Sequence, residues 1–295
     1  MPNKLKGTLC LVASAFGFAA MGLFVRLVDD LGGPVSCFQK AFFRNLVAAA
    51  VAGAMLARAR RAGTCAAPVR LGGGTWGLLL ARAVLGTAGI FLNFYAISHI
   101  SLADALMLNK LAPFFSVVFC WLLMGERLRL RQGACLALAM VGAALVVKPL
   151  GAWGALFPAL CGLAGGMSAG GAYACVHAIV RRGVDTRVVV LFFSVFSTVA
   201  SVPFIVCDYA PMTWAQTAAL LAAGAMATLG QFGVTAAYRF AEPREIAAWD
   251  YTNVLFAAVL GFLVFDQIPD AASVAGFLLI LFAAWRQSRA AQAGK

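Results

Sequence analysis

The chain has 295 residues, of which 63% are hydrophobic and 12% charged, and its net charge is +12. Soluble globular proteins hold about 45–50% apolar and ~25% charged residues. A chain of this size could not hide so much apolar surface from water, so it reads as a polytopic membrane protein. The 8 cysteines and 10 prolines, with glycine at no three-residue period, exclude disulfide-scaffold, disordered and collagen-like classes.

Apolar stretches follow one another at 7–28, 35–57, 75–97, 102–123, 132–148, 154–180, 188–207, 214–237, 245–265 and 271–285. Each lies near the ~20 residues that a helix needs to cross a bilayer. Lys4 and Lys6 ahead of the first stretch resemble the flank of a signal peptide. That stretch is longer than a typical signal-peptide core and nine more follow, so it is the first span of ten. The longest polar connection, 58–74, is basic and glycine-rich, and no soluble domain or long linker interrupts the series.

The bases fall in alternate loops. Seventeen of the 23 lie at Lys4, Lys6, Arg58, Arg60, Arg61, Arg70, Arg127, Arg129, Arg131, Arg181, Arg182, Arg187, Arg239, Arg244, Arg286, Arg289 and Lys295. The other loops carry Asp29, Asp30, Asp208, Asp266 and Asp270, with Arg26, Lys40 and Lys148 near span ends on that side. The positive-inside rule then places both termini in the cytoplasm. The basic excess is a topology signal, and nucleic acid is not an expected partner. The cysteines form no CxxC and no metal-ligand spacing, and read as small apolar helix residues.

The chain repeats itself. The segment from Leu102 to Val147 is a span, an acid-containing turn and a shorter span, and the same pattern returns 140 residues later. GERLRL at 125–130 lies opposite FDQIPD at 265–270, with Glu126 matching Asp266 and Leu128 matching Ile268. Five spans per half is an odd number, so the second half enters the membrane inverted. The expected division is 1–150 and 151–295. Inverted repeats are a recurring transporter architecture, with the binding site at the midplane between the halves.

FFRN (42–45), RAVLGTAGIFLNFYAI (82–97), LADALMLNKLAPFF (102–115), LMGERL (123–128), GQF (230–232), AAYRFAEPREIAAWDYTNVLFAAVLGFLVF (236–265) and IPD (268–270) occur in this order over the whole chain. Taken together they resemble the EamA family of the drug/metabolite transporter superfamily. The resemblance implies an all-α integral membrane protein of ten transmembrane helices in two inverted five-helix repeats. It also implies a central cavity, cytoplasmic termini, a multi-pass place in the cytoplasmic (inner) membrane, and export as the default direction. One departure is Phe265-Asp266, where the family pattern has Gly-Glu.

Arg44, Arg82, Lys110 and Asp250 lie well inside spans, each at roughly 2.5–3.5 kcal/mol on the insertion scale. Such residues must pair or line a wet cavity. Lys110 and Asp250 are 140 residues apart, pseudo-symmetric and roughly 10–15 Å deep at 1.5 Å per residue. They form either a switchable central pair that meets substrate or a proton, or a permanent salt bridge between the halves. Arg44 and Arg82 fit family motif positions in structural or gating roles, where a long arginine snorkels or caps a helix end. Three bases against one acid leave two positive charges over, which suits an anionic or zwitterionic solute.

Polar stripes at helical spacing should point inward. They are Arg82, Gly86, Gly89 and Asn93; Gly166, Gly170, Tyr173 and His177; and Gly224, Thr228, Gln231 and Thr235. Asn109, Lys110 and Pro113 align on one span, and Trp249, Asp250 and Asn253 on another. Gln231, Asn253, Asn109 and Asn93 have amides that donate and accept. Trp249, Tyr251 and Tyr173 could stack on or bond a solute, or simply pack. Gly162, Gly166 and Gly170 make a GxxxGxxxG surface for close helix contact. Pro113 should kink its span and free the Asn109 carbonyl. His177 and Glu126 read as surface groups.

These features favour a secondary carrier for a small organic metabolite, working by alternating access with proton or counter-substrate coupling. No Walker motif is present and no cofactor is called for. The alternative class, a membrane enzyme acting on a lipid-linked substrate, would need a clustered acid–base or metal set, and no HxxxH or DxxD occurs. A channel would want a filter or a charged ring.

Overall fold

A computed structural model describes residues 2–63, 73–124, 130–147, 153–240 and 247–292. They form eleven α-helices: α1 (Pro2–Asp30), α2 (Cys37–Arg61), α3 (Gly73–His99), α4 (Leu102–Asn109), α5 (Ala112–Met124), α6 (Leu130–Val147), α7 (Trp153–Arg181), α8 (Thr186–Cys207), α9 (Trp214–Phe240), α10 (Thr252–Phe265) and α11 (Ala271–Gln292). A 3-10 helix, Ala247–Tyr251, precedes α10.

Among the described residues seven segments are long and apolar enough to cross a bilayer: Leu5–Asp30, Cys37–Arg61, Gly73–His99, Leu102–Leu122, Leu156–Arg181, Arg187–Cys207 and Trp214–Val234. The other three expected spans coincide with shorter apolar helices, Gly133–Val147, Trp249–Phe265 and Ala271–Arg286. Large apolar side chains line the outside of the bundle, among them Leu122, Val206, Leu255, Leu263 and Leu278. In water that surface would be unstable; in lipid it is at home. The chain is a multi-pass membrane protein.

Without a hydrophobic drive between helices in lipid, association rests on close van der Waals packing over small residues. A Cβ at Gly17 of α1 would sit 2.8 Å from the Gly230 nitrogen of α9. One at Gly89 of α3 would sit 3.2 Å from the Gly165 carbonyl of α7, and one at Gly142 of α6 would sit 2.8 Å from the Gly276 carbonyl of α11. The α1–α9 contact is tied further by Ser14, whose buried hydroxyl donates to the Gly230 carbonyl at 2.6 Å.

Two apolar clusters fill the centre. Met21, Val25, Phe94, Ile97, Leu106 and Ala227 bring α1, α3, α4 and α9 together. Met107, Leu111, Phe114, Ala139, Val254 and Ile280 join α4, α5, α6, α10 and α11. Among the packed pairs are α1–α9 with α3–α7, α5–α7 with α1–α10, α2–α9 with α3–α8, and α2–α8, α6–α11 and α4–α10. These pairs map onto one another when α1, α2, α3, α4–α5 and α6 trade places with α7, α8, α9, the 3-10 helix with α10, and α11, whereas the α2–α3 and α1–α3 contacts have no counterpart of like extent among the described residues.

The sequence suggests a span kinked by Pro113 at 102–123 and an unbroken one at 245–265, and both are interrupted. The first breaks at Lys110–Leu111 between α4 and α5, two residues before Pro113. Proline has no N–H to give the Asn109 carbonyl, and its ring crowds that carbonyl. The second has 3-10 geometry across Ala247–Tyr251 before α-helix resumes at Thr252.

Candidate functional site

Lys110 is the cap of α4. Its backbone N–H closes the last turn of α4, shared between the Leu106 and Met107 carbonyls at 3.1 and 3.0 Å. Its ammonium crosses to the other interrupted helix and donates to Asp250 Oδ2 at 2.6 Å. The side chains stay 16% and 28% exposed, so the pair is not sealed in the core. Charges at unwound segments of membrane helices are tolerated where they pair or meet water.

The α7 glycine stripe makes the first break possible. A Cβ at Gly166 would stand 2.6 Å from the Leu108 carbonyl, and one at Gly170 would stand 2.7 Å from the Ala112 carbonyl. These glycines let α7 lie directly on the irregular backbone. On the other side, Asn253 at the start of α10 is buried and donates through Nδ2 to the Ala15 carbonyl of α1 at 2.8 Å. Its amide thus holds α10 against α1. Thr252 Oγ1 donates to the Trp249 carbonyl at 2.7 Å, closing the end of the 3-10 turn.

Arg44 and Arg82 occupy a second polar region among α2, α3, α7 and α8. Arg44 Nη1 donates to Asn45 Oδ1 at 2.7 Å. Asn45 in turn gives its amide to the Ala41 carbonyl and to Ser197 Oγ of α8, both at 2.8 Å. The Arg82 guanidinium folds back over Gly86, one turn along α3, in space that any Cβ there would fill. It stacks on the Phe193 ring at 4.0 Å. Among the described residues neither arginine has a carboxylate partner, and each has a buried Nε with no hydrogen bond.

The remaining expected residues are spread more widely. Asn109 lies half-buried beside Lys110. Asn93 is buried against α7, near Gly165, with its Oδ1 unpartnered. Tyr251 packs beside the second apolar cluster, whereas Trp249, Tyr173, Gln231 and His177 are exposed on their helices. Glu126 and its turn lie outside the described residues. Among the described residues no group of three His, Cys, Asp or Glu side chains is placed to hold a metal.

Lys40 lies near a span end, as the sequence suggests, and Asp29, expected in the adjoining loop, is in the last turn of α1; the structure pairs the two inside the bundle. Lys40 is wholly buried, with its ammonium 2.5 Å from Asp29 and 2.6 Å from Ser98 Oγ. Arg26 donates to the Ile97 carbonyl at 3.0 Å and also to that of Ile100, capping α3. Three glutamines pin the same end of the bundle. Gln39 makes a two-bond amide contact with Ala210 at 2.9 Å, and Gln216 donates to the Val28 and Gly33 carbonyls at 3.0 Å. Gln267 accepts from the Leu102 N–H at 3.0 Å. The one sequence signal for this network was an acid and a base on opposite sides of the short LGGPVS turn.

A model of the EamA-like transporter family matches residues 5–148. The pseudopaline exporter CntI of Pseudomonas aeruginosa is 30% identical over 96% of this chain and 96% of its own length. A riboflavin transporter of Rhizobium johnstonii is 25% identical over 69% of this chain and 67% of its own. In fold alone, a solved crystal structure of 18% identity superposes with a TM-score of 0.61 over 93% of this chain and 96% of that one.

Proposed function

Because the chain belongs to the EamA-like transporter family, we propose that it is a secondary carrier that exports or exchanges a small anionic or zwitterionic metabolite by alternating access. Family and relatives make the chain a transporter of small metabolites, which sets aside an enzyme acting on a lipid-linked substrate. The observation that carries the finer reading is the Lys110–Asp250 pair. It links two interrupted helices, one from residues 1–150 and one from 151–295, and stays partly accessible. Interrupted helices at the interface of two repeats are where carriers bind solute and coupling ion.

In this mechanism the two halves are inverted repeats that rock about the pair. Lys110 and Asp250 hold each other when the site is empty. A solute, a proton or a counter-substrate competes for one partner and loosens the contact between halves. Trp249, Tyr173, Gln231 and Asn109 flank the path. Asn253, Gly166, Gly170 and Pro113 shape the backbone that carries the charges, and Tyr251 and Asn93 pack behind it. Both termini face the cytoplasm in the inner membrane, following the loop bases. The relationship to an exporter supports outward movement.

The test is transport in inverted membrane vesicles against a panel of labelled amino acids, carboxylates and vitamins. Uptake of a charged solute that disappears in Lys110→Met and in Asp250→Asn is expected. Full transport by both variants would sink the reading.

A further inference from the structure

We propose that Arg44 and Arg82 form an oxyanion subsite that takes a carboxylate of the transported solute. This goes beyond a structural or gating role for the two arginines, and it rests on the transport reading above. Arg82 lies on Phe193 of α8, Arg44 bonds Asn45, which bonds Ser197 one turn further along α8, and among the described residues neither guanidinium has a carboxylate beside it. A partly buried charge in a membrane helix is held at a cost unless something pairs with it or water reaches it. Nothing among the described residues does so. Arg44 spends one donor on Asn45, and Arg82 has only the face of Phe193. The buried Nε atoms of both remain unbonded.

The surroundings hold the two guanidiniums in place instead of neutralising them. Asn45 is locked by Ala41 and Ser197 and so fixes Arg44. Gly86 leaves the space into which Arg82 folds, and Phe193 fixes its plane. A planar fork with open N–H groups matches a carboxylate in two-bond geometry. Leu85, one turn after Arg82 on α3, and Phe119 of α5 meet over Gly171 of α7, and the neighbouring Gly170 packs on the start of α5. The subsite therefore adjoins the broken helix that carries Lys110, and a carboxylate bound here belongs to the solute that meets the central pair.

The experiment is thermal unfolding of purified protein with acetate, succinate or citrate, each set against its uncharged amide at matched ionic strength. Wild type should gain roughly 2–4 °C from the better carboxylates at saturating concentration and nothing from the amides. The gain should vanish in Arg82→Gln and Arg44→Gln and shrink in Arg82→Lys, which keeps charge but loses the fork. In the unliganded state Arg82→Met should unfold no earlier than wild type, since it removes an unpaired, partly buried charge. A carboxylate effect equal to that of the amides overturns the subsite, as does one retained in every arginine variant. So does an Arg82→Met protein that unfolds many degrees earlier. Stabilisation by phosphatidylglycerol micelles without a carboxylate response assigns the charges to lipid and also overturns it. Binding is read without transport, so a protein that binds carboxylates but moves nothing fails the carrier reading while keeping the subsite.

Discussion

The ammonium of Lys40 stands 2.5 Å from the carboxylate of Asp29 and is itself wholly shielded, so α2 is fastened to the end of α1 by an ion pair inside the apolar bundle. Ser98 of α3 takes a second ammonium proton, and the Val35 N–H donates to the other Asp29 oxygen at 3.0 Å. Breaking one side of such a pair leaves a buried charge uncompensated, at about 3–5 kcal/mol. Lys40→Met should lower the melting temperature clearly, and Lys40→Met with Asp29→Leu should recover most of the loss. A double variant no more stable than the single would show that the pair is not what Lys40 contributes.

Gly166 and Gly142 both touch facing backbone, but only Gly166 touches the interrupted helix. Alanine at either position should cost roughly 1–3 kcal/mol through overpacking. Gly166→Ala should also slow transport per folded molecule, because its Cβ pushes on the Leu108 carbonyl beside Lys110. Gly142→Ala, between α6 and α11, should leave transport per folded molecule near wild type. Initial rates normalised to folded protein from size-exclusion chromatography decide this.

The central pair can be reversed. Lys110→Asp combined with Asp250→Lys keeps opposite charges at contact distance. Its stability should lie near wild type and above either single reversal, which places like charges together. If the pair is only a brace, transport returns with stability. A carrier role predicts a stable protein that does not transport, read as melting temperature against vesicle uptake.

Gln39 and Gln216 lock the α1–α2 turn to the α8–α9 connection. Gln39→Ala with Gln216→Ala removes four of these bonds, each contributing ~1 kcal/mol net. That should favour opening at this end. With Cys37 as the sole cysteine, maleimide labelling should be faster in the double variant. Equal rates would show that the amides hold the turns without gating anything.

Much of this was legible because membrane constraints act on local sequence. Ten apolar stretches, alternating loop charge and the 140-residue spacing of Lys110 and Asp250 all lie in one dimension. Pro113 announced the first interruption by its chemistry. The second has no such marker, since Ala247 to Tyr251 contain neither glycine nor proline, and a 3-10 turn there reflects packing. Lys40 was harder still. A lysine four residues into a helix can reach a headgroup or fold inward to Asp29, and only the position of α1 and α3 decides between them. Asn253 matched a cavity-facing amide by spacing, yet its nearest acceptor is a carbonyl of α1, which helical periodicity within one span cannot reveal.

The glycine contacts Gly17–Gly230 and Gly89–Gly165 join α1 to α9 and α3 to α7. Backbone meets backbone at these points, and apolar side chains of α1 and α9 interlock around the first of them. On the carrier reading proposed above, the glutamine pins and the Lys40–Asp29 and Lys110–Asp250 pairs are the polar contacts that a moving bundle would have to break, so its speed should be tunable by changing a handful of polar side chains while the apolar frame is left untouched.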